Sequence, residues 1–213
     1  MVQFIHSSQL IDYPAAVQEM ESIVNDIVAG STAEALWFLE HKPIYTFGTS
    51  SNHEDLLIKD HIPVYKSGRG GKFTYHGPGQ RVVYLMLNLN NRGKNVRQYV
   101  DNIQKWVLMS LKDFGLVGTT YPDRIGIWIA PQNNPTIQNL NVEKKIGAVG
   151  IRIRKWVSFH GISINVNPDL GYFDGIVPCG IREFGVTSFS DLGFQVSLNE
   201  LDDSLERNFN KVF

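Results

Sequence analysis

Four glycines and a proline stand within residues 69–80, RGGKFTYHGPGQ, interleaved with Arg69, Lys72, Tyr75 and His76. Glycine gives up more conformational freedom on folding than any other residue, so such a cluster weakens a fold unless turns or a close backbone approach require it. Apolar runs flank the cluster, IPVYKS before it and RVVYLMLNL after it. The segment therefore reads as a loop that joins two sheet elements and against which a ligand docks.

The rest of the pattern supplies the frame. Asp12 stands where it can cap a helix over 13–29, with Pro14 in the first turn, Val17, Met20, Val24, Ile27 and Val28 at helical spacing, and Gly30 to close it. EALWFLEH reads as a buried strand, and KPIYTFGTS ends in turn chemistry. Val96, Tyr99, Val100, Ile103, Val107, Leu111 and Phe114 share one face of a second helix that Gly115 would end. RIGIWIA and KKIGAVGIRIRKWVSFHGISINV are strand-rich, with the polar PQNNPTIQNLNVE as a hairpin loop between them. Ser197 and Glu200 have capping-box spacing ahead of Leu201, Leu205 and Phe209. Strands and helices do not alternate as a doubly wound sheet demands, so the expected class is α+β: helices packed on a largely antiparallel sheet, in one domain over residues 1–213.

Charge and composition narrow the function. A formal net charge of −1 gives no general attraction to nucleic acid, and 43% hydrophobic with 19% charged residues is ordinary for a globular chain. No apolar run is long enough to span a bilayer and MVQFIHSSQLIDYP is no secretory leader, so the expected place is the cytoplasm, away from membranes. Cys179 is the single cysteine, which rules out an internal disulfide and fits a reducing compartment.

Cys179 stands between Pro178 and Gly180, a setting for a nucleophile, although a free cysteine also packs as a small buried hydrophobe. Strand alternation turns Lys145 to the face opposite Lys144, so one of the pair can face a pocket while lysine pairs commonly stay in water. Arg152 and Arg154 share a strand face, with Lys155 next, as a wet face or a contact for an acidic partner. His76 and His160 sit beside glycines, but two histidines and one cysteine fall short of a zinc site, which leaves them shaping loops or touching substrate. The glycine-rich loop lacks both the Gly-Lys-Ser/Thr ending of a Walker loop and the dinucleotide spacing.

Taken in order, RGGKFTYHGPGQ, KKIGAVGIRIRKWVSFHGISINVN and PCGI closely resemble the octanoyltransferase family, from about Ile11 to the last helix. The resemblance implies a fold like that of biotin and lipoate protein ligases. It also implies an enzyme without cofactor that moves an octanoyl group from octanoyl-acyl carrier protein to the lysine of lipoyl domains. Its acceptors would be the lipoyl domains of 2-oxoacid dehydrogenase complexes and the glycine cleavage H protein. By motif, Cys179 and Lys145 correspond to the family's catalytic pair. The substrate-binding positions carry over as Arg69, Gly70, Gly71, Lys72, Phe73, Thr74, Tyr75 and His76, then Ala148, Val149 and Gly150, then Gly161, Ile162 and Ser163. Where this chain has Ala148-Val149-Gly150, many relatives have Ser-Leu-Gly or Ala-Ile-Gly, and the asparagine-rich 131–141 is longer than usual. Two rival readings remain on the same motifs. An ATP-dependent lipoate ligase would not need the cysteine, and a non-catalytic acyl-binding module would leave Cys179 and Lys145 without a purpose.

Overall fold

The computed structural model describes residues 2–57, 62–138, 140–177 and 184–213. Its frame is a mixed sheet in which β2 (Ala35–His41), β6 (Gln80–Met86), β10 (Val157–Asn165) and β9 (Lys144–Arg154) lie side by side, antiparallel throughout. Outside β2 runs β1 (Gln3–Ile11), parallel to it; outside β9 come β8 (Ile127–Ile129) and then β7 (Gly118–Thr119), both antiparallel. The short β11 (Gly185–Val186) pairs parallel with the start of β9. A second sheet places β3 (Ile44–Phe47) between β4 (Val64–Lys66) and β5 (Thr74–His76). The architecture is the expected α+β.

Hydrophobic periodicity explains the layers. In α1 (Tyr13–Ala29), Ala16, Met20, Val24 and Ile27 form a buried stripe that packs on Trp37, Leu39, Val82, Tyr84 and Phe159. The opposite face of the sheet meets α2 (Val96–Lys112) and α3 (Leu198–Phe209) through Ile103, Trp106, Val107, Leu201 and Leu205, against Leu36, Phe38, Val83 and Leu85. Covered on both faces, β6 is buried along its whole length. A third cluster, Tyr45, Phe73, Tyr75, Phe173 and Ile176, lies under the second sheet.

Four local expectations need correction. Asp12 occupies the cap position of α1 but makes no cap bond; its carboxylate sits 3.0 Å from Lys42 Nζ instead. Strand β1 lies in a stretch for which the sequence pattern predicts no element. The glycine-rich segment is not one uninterrupted loop, because Thr74, Tyr75 and His76 form β5, and the strands on either side of the segment belong to different sheets. Val96 lies 44% exposed, off the buried face of α2, whereas Gly115 ends that helix as expected: at φ +79° its N–H donates to Lys112 O at 2.9 Å and the next N–H, of Leu116, to Leu111 O at 3.2 Å.

The capping box of α3 is present as its spacing requires: Ser197 Oγ accepts from Glu200 N–H at 3.2 Å, and Glu200 Oε2 accepts from Ser197 N–H at 2.8 Å. Ser197→Ala removes one of these bonds and should lower stability by about 1 kcal/mol. Urea unfolding should show a lower midpoint with an unchanged slope.

Candidate active site

Floor and roof of a cavity of about 400 Å³ come from the two sheets. The floor is the face of the main sheet where Gly150 pairs with Gly161 and Ala148 with Ser163, beside Tyr84 and Val82 of β6. The roof is the loop through Arg69, Gly70, Gly71 and Lys72. Its Gly70 N–H donates to Ile151 O of β9 at 3.2 Å, and its Arg69 carbonyl accepts from Thr49 N–H at 3.1 Å. Arg69 folds back, with Nη1 donating to Gly70 O at 2.9 Å and Nη2 to Thr46 O and Oγ1 at 3.1 and 2.9 Å. A Cβ at Gly150 would lie 2.7 Å from Arg69 Cδ, so the approach of roof to floor depends on glycine there.

Every substrate-binding position expected from the sequence borders this cavity except Tyr75. Alternation along β5 gives Thr74 and His76 to the cavity and turns Tyr75 the other way, where its ring stacks on Tyr172 at 4.7 Å and meets Phe173 edge-on at 5.5 Å. Residues the sequence reading passed over also line the wall: Tyr13, Tyr84, Arg124, Ile125 and Trp128. The signal for the last three was the single charge ahead of the aromatic in RIGIWIA, read only as strand.

Lys145 enters through a bulge. One step on β8, from Ile127 to Trp128, matches two steps on β9, from Gly147 to Lys145, so Ile146 is the extra residue. Ile146 drops into the main core, and Lys145 comes to the side of Trp128, with Nζ 5.2 Å from its ring and donating to Ile125 O at 3.2 Å. Lys145 is 8% exposed; Lys144, turned away, pairs with Asp191 at 3.2 Å. A Cβ at Gly126, whose φ is +148°, would come within 2.8 Å of Lys145 Nζ and closer still to Cε. Next door the Arg124 guanidinium lies over the rings of Tyr121 at 3.8 Å, Phe184 at 4.3 Å and Trp128 at 5.1 Å, and both Arg124 and Tyr121 bond Glu143. Cys179, the other expected catalytic residue, lies outside the described residues. Arg154 is anchored to α1 through Glu21 O and Asn25 Oδ1, and both Arg152 and Arg154 lie 5.3 Å from the Phe159 ring.

Three histidines gather at the α1 side. His41 donates Nδ1–H to Ile11 O at 2.8 Å, and its Nε2 accepts from Tyr84 OH at 2.7 Å. His76 stands 5.9 Å from His41 ring to ring, and His160, at φ +59°, lies 6.1 Å from Tyr84. Burial, with His41 and Arg69 nearby for His76 and Arg69 for His160, holds their pKa values down at about 4 for His41 and about 3 for the other two. All three are neutral at physiological pH. The unfolded chain, with histidines near 6.5, takes up protons first on acidification. Stability should therefore be level above about pH 7 and fall below about pH 6.5, by up to ~4 kcal/mol per pH unit if the three act independently. Urea midpoints measured from pH 8 to pH 5 check this.

Comparison with known proteins identifies the family and the fold. The family described as Lipoyl protein ligase A/B catalytic domain matches residues 12–210. An octanoyltransferase of Jannaschia sp. (strain CCS1) is 51% identical over 100% of this chain and 99% of its own length. One from Wolbachia pipientis wMel is 48% identical over 100% of both. Among solved structures, lipoate-protein ligase A bound with ATP superposes with a TM-score of 0.72 at 20% identity, over 99% of this chain and 84% of that one. A bi-partite lipoate protein ligase from Thermoplasma acidophilum gives 0.70 at 18%, over 100% and 84%. At such identities these two establish a shared fold.

Proposed function

We propose, for a chain that belongs to the lipoyl protein ligase A/B catalytic-domain family and within it to the octanoyltransferases, a two-step acyl transfer through a thioester on Cys179. The donor is octanoyl-acyl carrier protein. The acceptors are lysines of lipoyl domains, those of 2-oxoacid dehydrogenase complexes and of the glycine cleavage H protein. The observation that carries this reading is a buried Lys145 at the wall of a largely apolar cavity of about 400 Å³.

In the first step the Cys179 sulfur attacks the octanoyl carbonyl, the carbon–sulfur bond to the carrier's pantetheine breaks, and the thiol proton leaves on the pantetheine sulfur. In the second, the acceptor amine attacks the acyl-cysteine, the amide bond forms, and the displaced Cys179 sulfur regains a proton. Lys145 carries both protons, to the leaving sulfur in the first step and from the amine in the second. A thioester is exchanged for a thioester and then for an amide, so neither ATP nor a redox partner enters. The octanoyl chain lies between the glycine floor and the Arg69 roof, where each buried methylene contributes about 0.8 kcal/mol. Arg69, Gly70, Gly71, Lys72, Phe73, Thr74, His76, Ala148, Val149, Gly150, Gly161, Ile162 and Ser163 form the acyl-binding wall.

Two outcomes test this. Incubation with octanoyl carrier protein, without acceptor or ATP, should add one hydroxylamine-labile octanoyl group at Cys179 by intact mass spectrometry; label elsewhere, or transfer by Cys179→Ala, would overturn the scheme. Gly126→Ala should push Lys145 from its place beside Trp128 and lower kcat about tenfold or more, with the circular dichroism spectrum unchanged. A parental kcat in that variant would remove Lys145 from the mechanism.

A further inference from the structure

The lining of the cavity is exposed on one side and sealed on the other. Ile125, 53% exposed, and the exposed Asp123 stand just ahead of β8, and the roof residues Gly70 and Gly71 are exposed as well. On the α1 side, Tyr13, Val82, Tyr84 and His160 are each no more than 5% exposed. Val82 and Tyr84 belong to β6, and β10 and β9 lie between β6 and β8. Three strand spacings, about 14 Å, therefore separate the sealed side from the exposed one.

The sealed side is a continuous set of rings. Tyr13, at the start of α1, meets His41 edge-on at 5.5 Å; His41 Nε2 accepts from Tyr84 OH at 2.7 Å; Tyr84 in turn meets Trp37 at 6.0 Å and His160 at 6.1 Å, both edge-on. His160 departs from strand alternation. At φ +59°, a strained angle for a residue with a side chain, its ring comes to the side of Phe159, 5.3 Å away and 21° from parallel, and its N–H donates to Met20 Sδ of α1 at 3.1 Å. Tyr84 and Phe159 are part of the core under α1 with Met20 and Leu39. A ring in this wall turns aside only by breaking a hydrogen bond or opening a void in a close-packed core.

We infer that Tyr13 and Tyr84 are specificity-determining residues: they end the acyl cavity and set the longest chain that the enzyme transfers. The inference rests on the transfer reading above and fixes a limit within it. Donor and acceptor in that reading are both proteins, too large for a cavity of about 400 Å³, so the thioester stays at the exposed side and the hydrocarbon tail points to the rings. An extended octanoyl chain measures about 9 Å, from seven carbon–carbon bonds of about 1.5 Å at tetrahedral angles. Contact distances of about 4 Å beyond the methyl group and about 3 Å beyond the carbonyl complete a span close to the strand separation. Two more methylenes, about 2.5 Å of chain, would run into rings that hold their places.

The test reads ratios of kcat/KM between acyl carrier proteins charged with hexanoyl, octanoyl and decanoyl groups, which a smaller folded fraction leaves unchanged. Tyr13→Ala opens the wall where Tyr65 backs it at 5.5 Å, and should raise the decanoyl-to-octanoyl ratio about tenfold or more. Tyr84→Leu should shift that ratio the same way. Tyr13→Phe keeps the ring and should keep the parental ratio. Val82→Phe adds bulk to the same wall and should raise the hexanoyl-to-octanoyl ratio about tenfold. Parental ratios in Tyr13→Ala, Tyr84→Leu or Val82→Phe, or a Tyr13→Phe shifted as far as Tyr13→Ala, would each overturn the inference; should the two truncations fail to fold, Val82→Phe decides it. A parent that transfers no octanoyl group would instead overturn the transfer reading, and the shifts in thermal midpoint that free hexanoic, octanoic and decanoic acids give with parent and variants would still decide the wall.

Discussion

The site depends on one extra residue. Strict alternation along β9 would put Lys145 on the face opposite Ala148 and Gly150, with the core side chains. The bulge at Ile146 reverses that parity over a single step: Ile146 fills the core with Ile127 and Ile129, and Lys145 joins the cavity face with Trp128. Both side chains thereby reach surroundings that suit them. An unbulged strand would bury an ammonium among aliphatic groups or pull an isoleucine from the core, each at a cost of a few kcal/mol.

Around that point the fold gives the polar groups of the wall partners of their own. Burial keeps the histidines on the α1 side neutral, and hydrogen bonds orient two of them: His41 between Ile11 O and Tyr84 OH, His76 against Gln80. Arg69 is spent on backbone and hydroxyl oxygens of Thr46 and Gly70, and Arg124 is enclosed by aromatic rings and Glu143. For the transfer proposed above, fixed dipoles and paired cations of this kind would need no rearrangement as negative charge develops on the oxygen of a tetrahedral intermediate.

The loops also divide the labour of the two sheets. The main sheet is packed between α1 on one face and α2 with α3 on the other. The small sheet carries the roof, and among the described residues Gly70 to Ile151 and Gln80 to Tyr75 O and Asn165 Oδ1 tie the two together.

Much of this was legible in the chain. Helical spacing gave the bounds of α1, the Ser197–Glu200 box marked the start of α3 from two side chains, and the motif blocks around Arg69, Lys145, Gly161 and Cys179 carried the resemblance to an acyltransferase family. These are local or contiguous signals, set by backbone period and short-range hydrogen bonding. Strand β1, the outward turn of Tyr75, the share of the wall taken by Tyr13, Tyr84, Arg124 and Trp128, and the bulge at Ile146 were not legible. Each depends on which strand lies alongside and in what register, and pairing partners far apart in sequence leave no local trace. The sequence by itself determined which residues are able to carry chemistry, because glycine, lysine, histidine and cysteine bring their properties wherever they stand. Only the tertiary structure decided which of them face one another, because a one-residue shift in a strand exchanges its two faces.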